Sequence, residues 1–131
     1  MPAASEISVL DASALVAVAL REPGGEVIVP LLRRARVSAV NLAEVLIALE
    51  RRGVRRAVAS ALLDELPFET VAADESLVPH IAEVHRASRR RGLSLADCIC
   101  LATGRALGAT VYTADRTWAK LDVGTRVEVI R

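Results

Sequence analysis

Four acidic residues, Asp11, Glu44, Asp97 and Asp115, stand in surroundings where a carboxylate needs a reason to be present. Asp11 lies in Val-Leu-Asp-Ala-Ser-Ala-Leu, with apolar residues on both sides, and burying it unpaired would be costly. Its competing role is a helix N-cap, which Asp fills well. Glu44 forms a narrow stripe with Asn41 and Ala48 at i, i+3 and i+7, the only polar break in an apolar helix, or else simply its wet face. Asp97 follows Ser94 at capping-box spacing, and Asp115 is placed to cap the turn into Trp118, so each has a structural explanation of its own. The set says more than its members. Carboxylates about 5 Å apart repel by on the order of 3 kcal/mol per pair at an effective dielectric near 20. Such a cluster holds together by protonation or by a divalent cation. Oxygen-only donors favour Mg²⁺, or Mn²⁺, over zinc. His80 and His85, five apart, match no zinc spacing, and Cys98 and Cys100 read as small buried hydrophobes.

These acids converge only if the elements between them alternate in the right way. Ile7–Leu10 reads as a buried strand ending at Asp11, and Ala12–Leu20 as a helix broken by Glu22-Pro23-Gly24-Gly25. A second helix is expected over Glu26–Arg34, interrupted or begun near Pro30. A strand over Arg36–Ser38 follows, with Ser38 placed to cap a helix over Ala39–Arg52. Another helix is expected between Val54 and Leu66, a strand over Phe68–Val71, and a helix from Asp74 or Ser76 to Arg91 with Pro79 in its first turn. Ser94 caps a helix over Leu95–Leu107 that Gly108 ends, and strands over Thr110–Thr113 and Arg126–Ile130 complete the chain. This alternation predicts an α/β single domain spanning residues 1–131, a five-stranded parallel sheet sandwiched by helices. Sites in such sheets form beyond the carboxyl ends of the strands, where Asp11 and Asp115 fall; Glu44 lies in the helix after the second strand and Asp97 in the first turn of the helix before the fourth.

Bulk properties set the limits on partners. A chain of 131 residues, 53% of them apolar and 25% charged, buries a sizeable core. With only Phe68, Tyr112 and Trp118 as aromatics, that core is built from Ala, Val, Leu and Ile. The net charge of +1 hides three arginine clusters: Arg33, Arg34 and Arg36; Arg51, Arg52, Arg55 and Arg56; and Arg89, Arg90 and Arg91. Each alone reads as a solvated helix face or a helix C-terminus. Three on one small chain point to a polyanionic partner, nucleic acid or an acidic protein segment. No apolar run approaches membrane-spanning length and no leader is evident, so the expected location is the cytoplasm.

At the acidic residues the chain resembles the PIN-domain family, and within it the VapC-type toxins of bacterial toxin–antitoxin pairs. The matching pieces are Val9-Leu10-Asp11-Ala12-Ser13, Ser38 through Val45 with Asn41 and Glu44, Leu95-Ala96-Asp97, and Thr113-Ala114-Asp115-Arg116 followed by Trp118. They occur in the family's order across nearly the whole chain. The resemblance implies a Mg²⁺-dependent endoribonuclease with Asp11, Glu44, Asp97 and Asp115 as metal-binding acids. It also implies supporting polar positions at Ser13 and Thr113, an RNA substrate, a homodimer and a small cognate antitoxin. Trp118 stands where the family often has Phe and is expected to pack rather than stack on bases. RNA contacts then rest largely on Arg, since stacking platforms are scarce.

Two other readings compete with this one. An aspartyl-phosphate phosphotransferase of the haloacid-dehalogenase type expects a second acid two residues after the first and a nearby Lys. Here that position is Ser13 and the only lysine is Lys120. The other rival is a non-catalytic PIN-like module, its acids serving as caps and its Arg patches binding protein or RNA. The helix pair from Ala39 to Leu66 carries apolar surface beyond the needs of one small core and is expected to form a partner interface.

Overall fold

In the computed structural model, which describes residues 6–131, strands and helices alternate along nearly the whole chain. The strands are β1 (Ser8–Leu10), β2 (Ala35–Ser38), β3 (Glu69–Val71), β4 (Thr110–Thr113) and β5 (Val127–Val129). The helices are α1 (Ala12–Ala19), α2 (Gly25–Ile28), α3 (Ala39–Arg51), α4 (Arg56–Asp64), α5 (Val78–Ser88) and α6 (Leu95–Leu107). All strand pairings are parallel and the sheet order is β3-β2-β1-β4-β5. The chain therefore winds outward from β1 in one direction and from β4 in the other. The crevice between β1 and β4 is the switch point at which open parallel sheets place their sites.

Side-chain alternation splits the core into two layers. On β1, Val9 packs with α5, α6 and Trp118, while Leu10 faces α1, α3 and α4. On β4, Val111 and Tyr112 divide in the same way. A parallel sheet covered on both faces needs apolar residues at consecutive positions, and the short runs here supply them. Helix α6 lies close enough to β4 that a Cβ on Gly104 would stand 2.3 Å from Val111 Cγ2, so only glycine admits this approach. Cys98 and Cys100 are both buried within the α6 layer as free thiols. Trp118 is buried in the same layer, as expected of a packing residue.

The expected elements formed, with differences at proline and at element ends. The segment expected as one helix over Glu26–Arg34 is a single α-turn followed by a 3-10 stretch over Val29–Arg34. Pro30 lacks the amide that a continuing helix would require. Ahead of α5, a 3-10 turn over Glu75–Leu77 is capped by Asp74, and Pro79 falls in the first turn of the helix, where its missing donor is tolerated. Helix α4 begins at Arg56 and ends at Asp64, inside the expected bounds. The turn expected from Asp115 into Trp118 is a 3-10 stretch over Arg116–Lys120 with Asp115 as its cap. Among the described residues no helix is long and apolar enough to cross a membrane.

Candidate active site at the carboxyl end of the sheet

Asp11 leaves β1 at the switch point and is only 6% exposed. Although it occupies the N-cap position of α1, its side chain caps nothing there. Its Oδ2 instead accepts hydrogen bonds from Ser13 Oγ (2.7 Å) and from Thr113 Oγ1 at the end of β4 (2.9 Å). Those two hydroxyls are themselves held by backbone donors. The Ala114 amide donates to Ser13 Oγ at 2.9 Å, and the Asp115 amide donates to Thr113 Oγ1 at 3.0 Å. The carboxylate is thus aimed by a small network that ties β1 to β4. Burial pushes the Asp11 carboxyl above its ordinary pKa; the Ser13 and Thr113 hydrogen bonds act against that, and the charge of Asp97 adds to it.

Glu44 reaches the same end of the sheet from α3, which Ser38 caps by accepting from the Val40 amide at 3.2 Å. The stripe containing Glu44 is not a wet face, because Asn41 is fully buried. Its Nδ2 donates to Glu44 Oε1 (2.9 Å) and to the Ala96 carbonyl on α6 (3.1 Å). Two acceptors flanking one NH₂ group fix the amide orientation. Asn41 Oδ1 is left buried without a partner. Asn41 thereby holds Glu44 against the first turn of α6, one residue from Asp97.

Asp97 completes the capping box anticipated from its spacing: its Oδ2 accepts from the Ser94 amide at 3.0 Å, and its own amide donates to Ser94 Oγ at 3.1 Å. Asp115 behaves as the anticipated turn cap, Oδ1 accepting from the amide and hydroxyl of Thr117 at 2.9 and 2.7 Å. Its carboxylate is exposed, and its link to Asp11 runs through its backbone and Thr113. Burial, and after it the negative charges of Asp11, Asp97 and Glu44, push the Cys100 thiol well above its ordinary pKa. Three of the four acids thus act on one buried thiol of α6.

A common pattern runs through the set. One oxygen of each carboxylate is anchored by hydrogen bonds, and the other accepts none from a side chain. None of the four forms an ion pair among the described residues. As a test for Mg²⁺, the donors fit in kind: hard oxygens, oriented from behind, with uncompensated charge. They do not form a closed cage, since no three His, Cys, Asp or Glu side chains converge among the described residues. That suits an ion which keeps several of its waters and takes one or two carboxylates directly.

Beside the acids lies a cavity of about 500 Å³, reaching from Ser13 and Glu44 to Arg51, Arg52 and Arg131. Sequence reasoning missed its rim, where Arg52 and Arg131 pair with Glu22 at 2.8 and 3.4 Å across 30 and 109 residues. Glu22 reads in the sequence only as part of a helix-breaking loop, and no local spacing betrays such distant partners.

The match to a family model decides the fold's identity: residues 8–124 match the model described as PIN domain. The chain belongs to the PIN domain family. No curated protein matches it in sequence. Among solved structures, this PIN domain is similar to VapBC2 from Rickettsia felis bound to a DNA fragment from their promoter. That match has a TM-score of 0.76, 16% identity, and covers 95% of this chain and 99% of that one. It is also similar to VapC20 of Mycobacterium tuberculosis, described as a Sarcin-Ricin loop cleaving toxin (TM-score 0.70, 21% identity, 91% and 98% covered). A third is VapBC-5 of Mycobacterium tuberculosis, from the VapBC family of toxin–antitoxin systems (TM-score 0.66, 26% identity, 96% and 98% covered). The structural neighbours of this PIN domain thus include VapBC toxin–antitoxin proteins.

Proposed function

We propose that the protein is the toxin of a toxin–antitoxin pair, an endoribonuclease that hydrolyses RNA phosphodiesters with Mg²⁺, or Mn²⁺, held by Asp11, Glu44, Asp97 and Asp115. One observation carries this reading: the buried Asp11 carboxylate at the switch point of a PIN-domain sheet, aimed by Ser13 and Thr113 and left without an ion pair among the described residues. A buried acid without a cation lowers stability, so a chain that keeps Asp11 at this position uses it for binding. When bound, the ion supplies Lewis acidity and a water acidic enough to act as nucleophile near neutral pH. The chain's own part is orientation. Ser13 and Thr113 aim Asp11, Asn41 aims Glu44, and the two caps fix Asp97 and Asp115. RNA is favoured as substrate by the arginine clusters and by the cleaving activity named for the VapC20 neighbour.

The partner reading follows from the neighbours named as VapBC assemblies and from a groove of about 450 Å³ between α3, α4 and β3. Leu42, Leu46, Leu63, Leu66 and Phe68 line it, and we assign it to a small cognate antitoxin. The protein is also read as a cytoplasmic homodimer. The test of the enzymatic reading is incubation of the purified protein with total RNA in Mg²⁺ or in EDTA. New RNA ends in Mg²⁺ alone, absent with Asp11→Asn, are the expected outcome. RNA binding without cleavage in any divalent ion would replace the enzyme with a binding module.

A further inference from the structure

The cavity beside the acids has features that metal binding does not use. Ala12 and Ser13, which follow Asp11 in the chain, line it, and Glu44, Ala48 and Arg51 line one wall at i, i+4 and i+7 of α3. Along the helix axis Arg51 stands about 10 Å beyond Glu44. A group bound there would flank one reacting at the acids. The volume of about 500 Å³ lies in the range of small-ligand sites and accommodates a single nucleotide. Ala48, Val16 and the half-exposed Ile47 give it an apolar side, a surface against which a sugar and base can rest.

Its charges are unequally engaged. Glu44 is held by Asn41, and Glu22 is shared between Arg52 and Arg131, whose Nη1 also donates to the Pro23 carbonyl at 3.0 Å. Arg51 forms no ion pair among the described residues, although four Arg–Glu pairs form on neighbouring parts of the surface. An exposed, unpaired guanidinium lining the same cavity as Glu44 is placed for a phosphate, whose fork geometry Arg matches.

We infer that this cavity is the subsite for the nucleotide flanking the scissile phosphodiester of an RNA strand, with Arg51 holding that nucleotide's phosphate. Glu22 tempers the site by occupying Arg52 and Arg131. The inference rests on the nuclease reading above, and it assigns opposite effects to two residues of one cavity: removing Arg51 weakens the strand, and removing the Glu22 charge tightens it.

The test is fluorescence anisotropy with a fluorescein-labelled oligoribonucleotide of about ten nucleotides in EDTA, titrated at several salt concentrations. Arg51→Gln is expected to raise Kd about tenfold and to lower the log–log salt slope by about 0.7, the loss of one phosphate contact on a single strand. Glu22→Gln is expected to lower Kd about threefold. Arg126→Gln, the same charge change before β5 at the opposite end of the sheet and outside the arginine clusters, serves as the reference and is expected to change Kd less than twofold. Equal weakening by Arg51→Gln and Arg126→Gln would reduce the effect to bulk charge and overturn the subsite, as would weaker binding by a folded Glu22→Gln. Failure here is separable from failure of the nuclease reading. Mg²⁺-dependent cleavage by the wild type with unchanged Arg51→Gln binding sinks the subsite alone. No cleavage, with the opposite-signed binding effects intact, sinks the enzyme and leaves the cavity as a nucleotide site for an RNA strand that is bound and not cut.

Discussion

Two groups of acids in this protein are held in different ways. Across the outer faces, Glu6, Glu22, Glu50, Glu69, Glu83 and Glu128 each pair with an arginine. At the carboxyl end of the sheet, Asp11, Glu44, Asp97 and Asp115 pair with none, although arginine is the commonest charged residue in the chain. The outer pairs are mobile and screened, and each is worth little. The inner acids are held still by neutral hydroxyl, amide and backbone donors, which orient a carboxylate without neutralising it. Glu26, Asp64, Glu65, Asp74, Glu75 and Asp122 lack an ion pair among the described residues as well, so what sets the inner group apart is the buried, hydroxyl-aimed Asp11 and the Asn41-held Glu44.

That contrast breaks most visibly at Asp11. Asp11→Asn removes the buried charge but keeps an acceptor for Ser13 and Thr113. RNA cleavage is expected to fall by at least about a thousandfold while metal-free melting temperature stays the same or rises. A gel-based cleavage assay beside calorimetry in EDTA checks both, and a large stability loss would recast Asp11 as a structural cap. The next effect in size is at Asn41. Asn41→Ala releases Glu44 and leaves the Ala96 carbonyl without its donor. We expect about 1–3 kcal/mol of lost stability and about 10- to 100-fold slower cleavage, measured by urea unfolding and by the same assay.

A smaller effect is a pH dependence. Because the folded pKa of Asp11 is raised, chiefly by burial, its contribution favours the fold at low pH and is lost as pH rises through the raised value. In EDTA, the advantage of Asp11→Asn over the wild type should therefore shrink as pH falls from neutrality towards about 4. An advantage that grows on acidification would contradict the assignment of burial as the dominant cause. Smallest of all is the outer region. Glu50→Gln breaks the pair with Arg56 on an exposed surface, where the melting temperature should move by no more than about 1 °C and cleavage should be unchanged.

How much of this was legible in the sequence follows the range of the interactions. Strand ends, the capping box of Ser94 and Asp97, the Asp115 cap and the helix over Leu95–Leu107 are local, and residue spacing displays them. The 3-10 stretch over Val29–Arg34 was half visible, because Pro30 signals an interruption without saying how the chain resolves it. The role of Asn41 could be located but not described. Its burial depends on α6 packing against α3, and its second acceptor is a backbone carbonyl 55 residues away. Glu22 was illegible for the same reason, more strongly, since both its partners lie on other elements. The acids were found singly as weak signals; their common neighbourhood depends on a sheet order that alternation alone does not dictate.

The central claim is that the unpaired acids exist to hold a divalent cation, and thermal unfolding with Mn²⁺ or Mg²⁺ tests it without reference to any substrate. At a tenfold excess of the ion over its Kd, the wild type should melt about 4 °C higher than in EDTA. Asp97→Asn, which keeps an acceptor for the Ser94 amide but loses the charge, should gain far less. Equal shifts in both proteins, or none in the wild type at millimolar ion, would contradict the account.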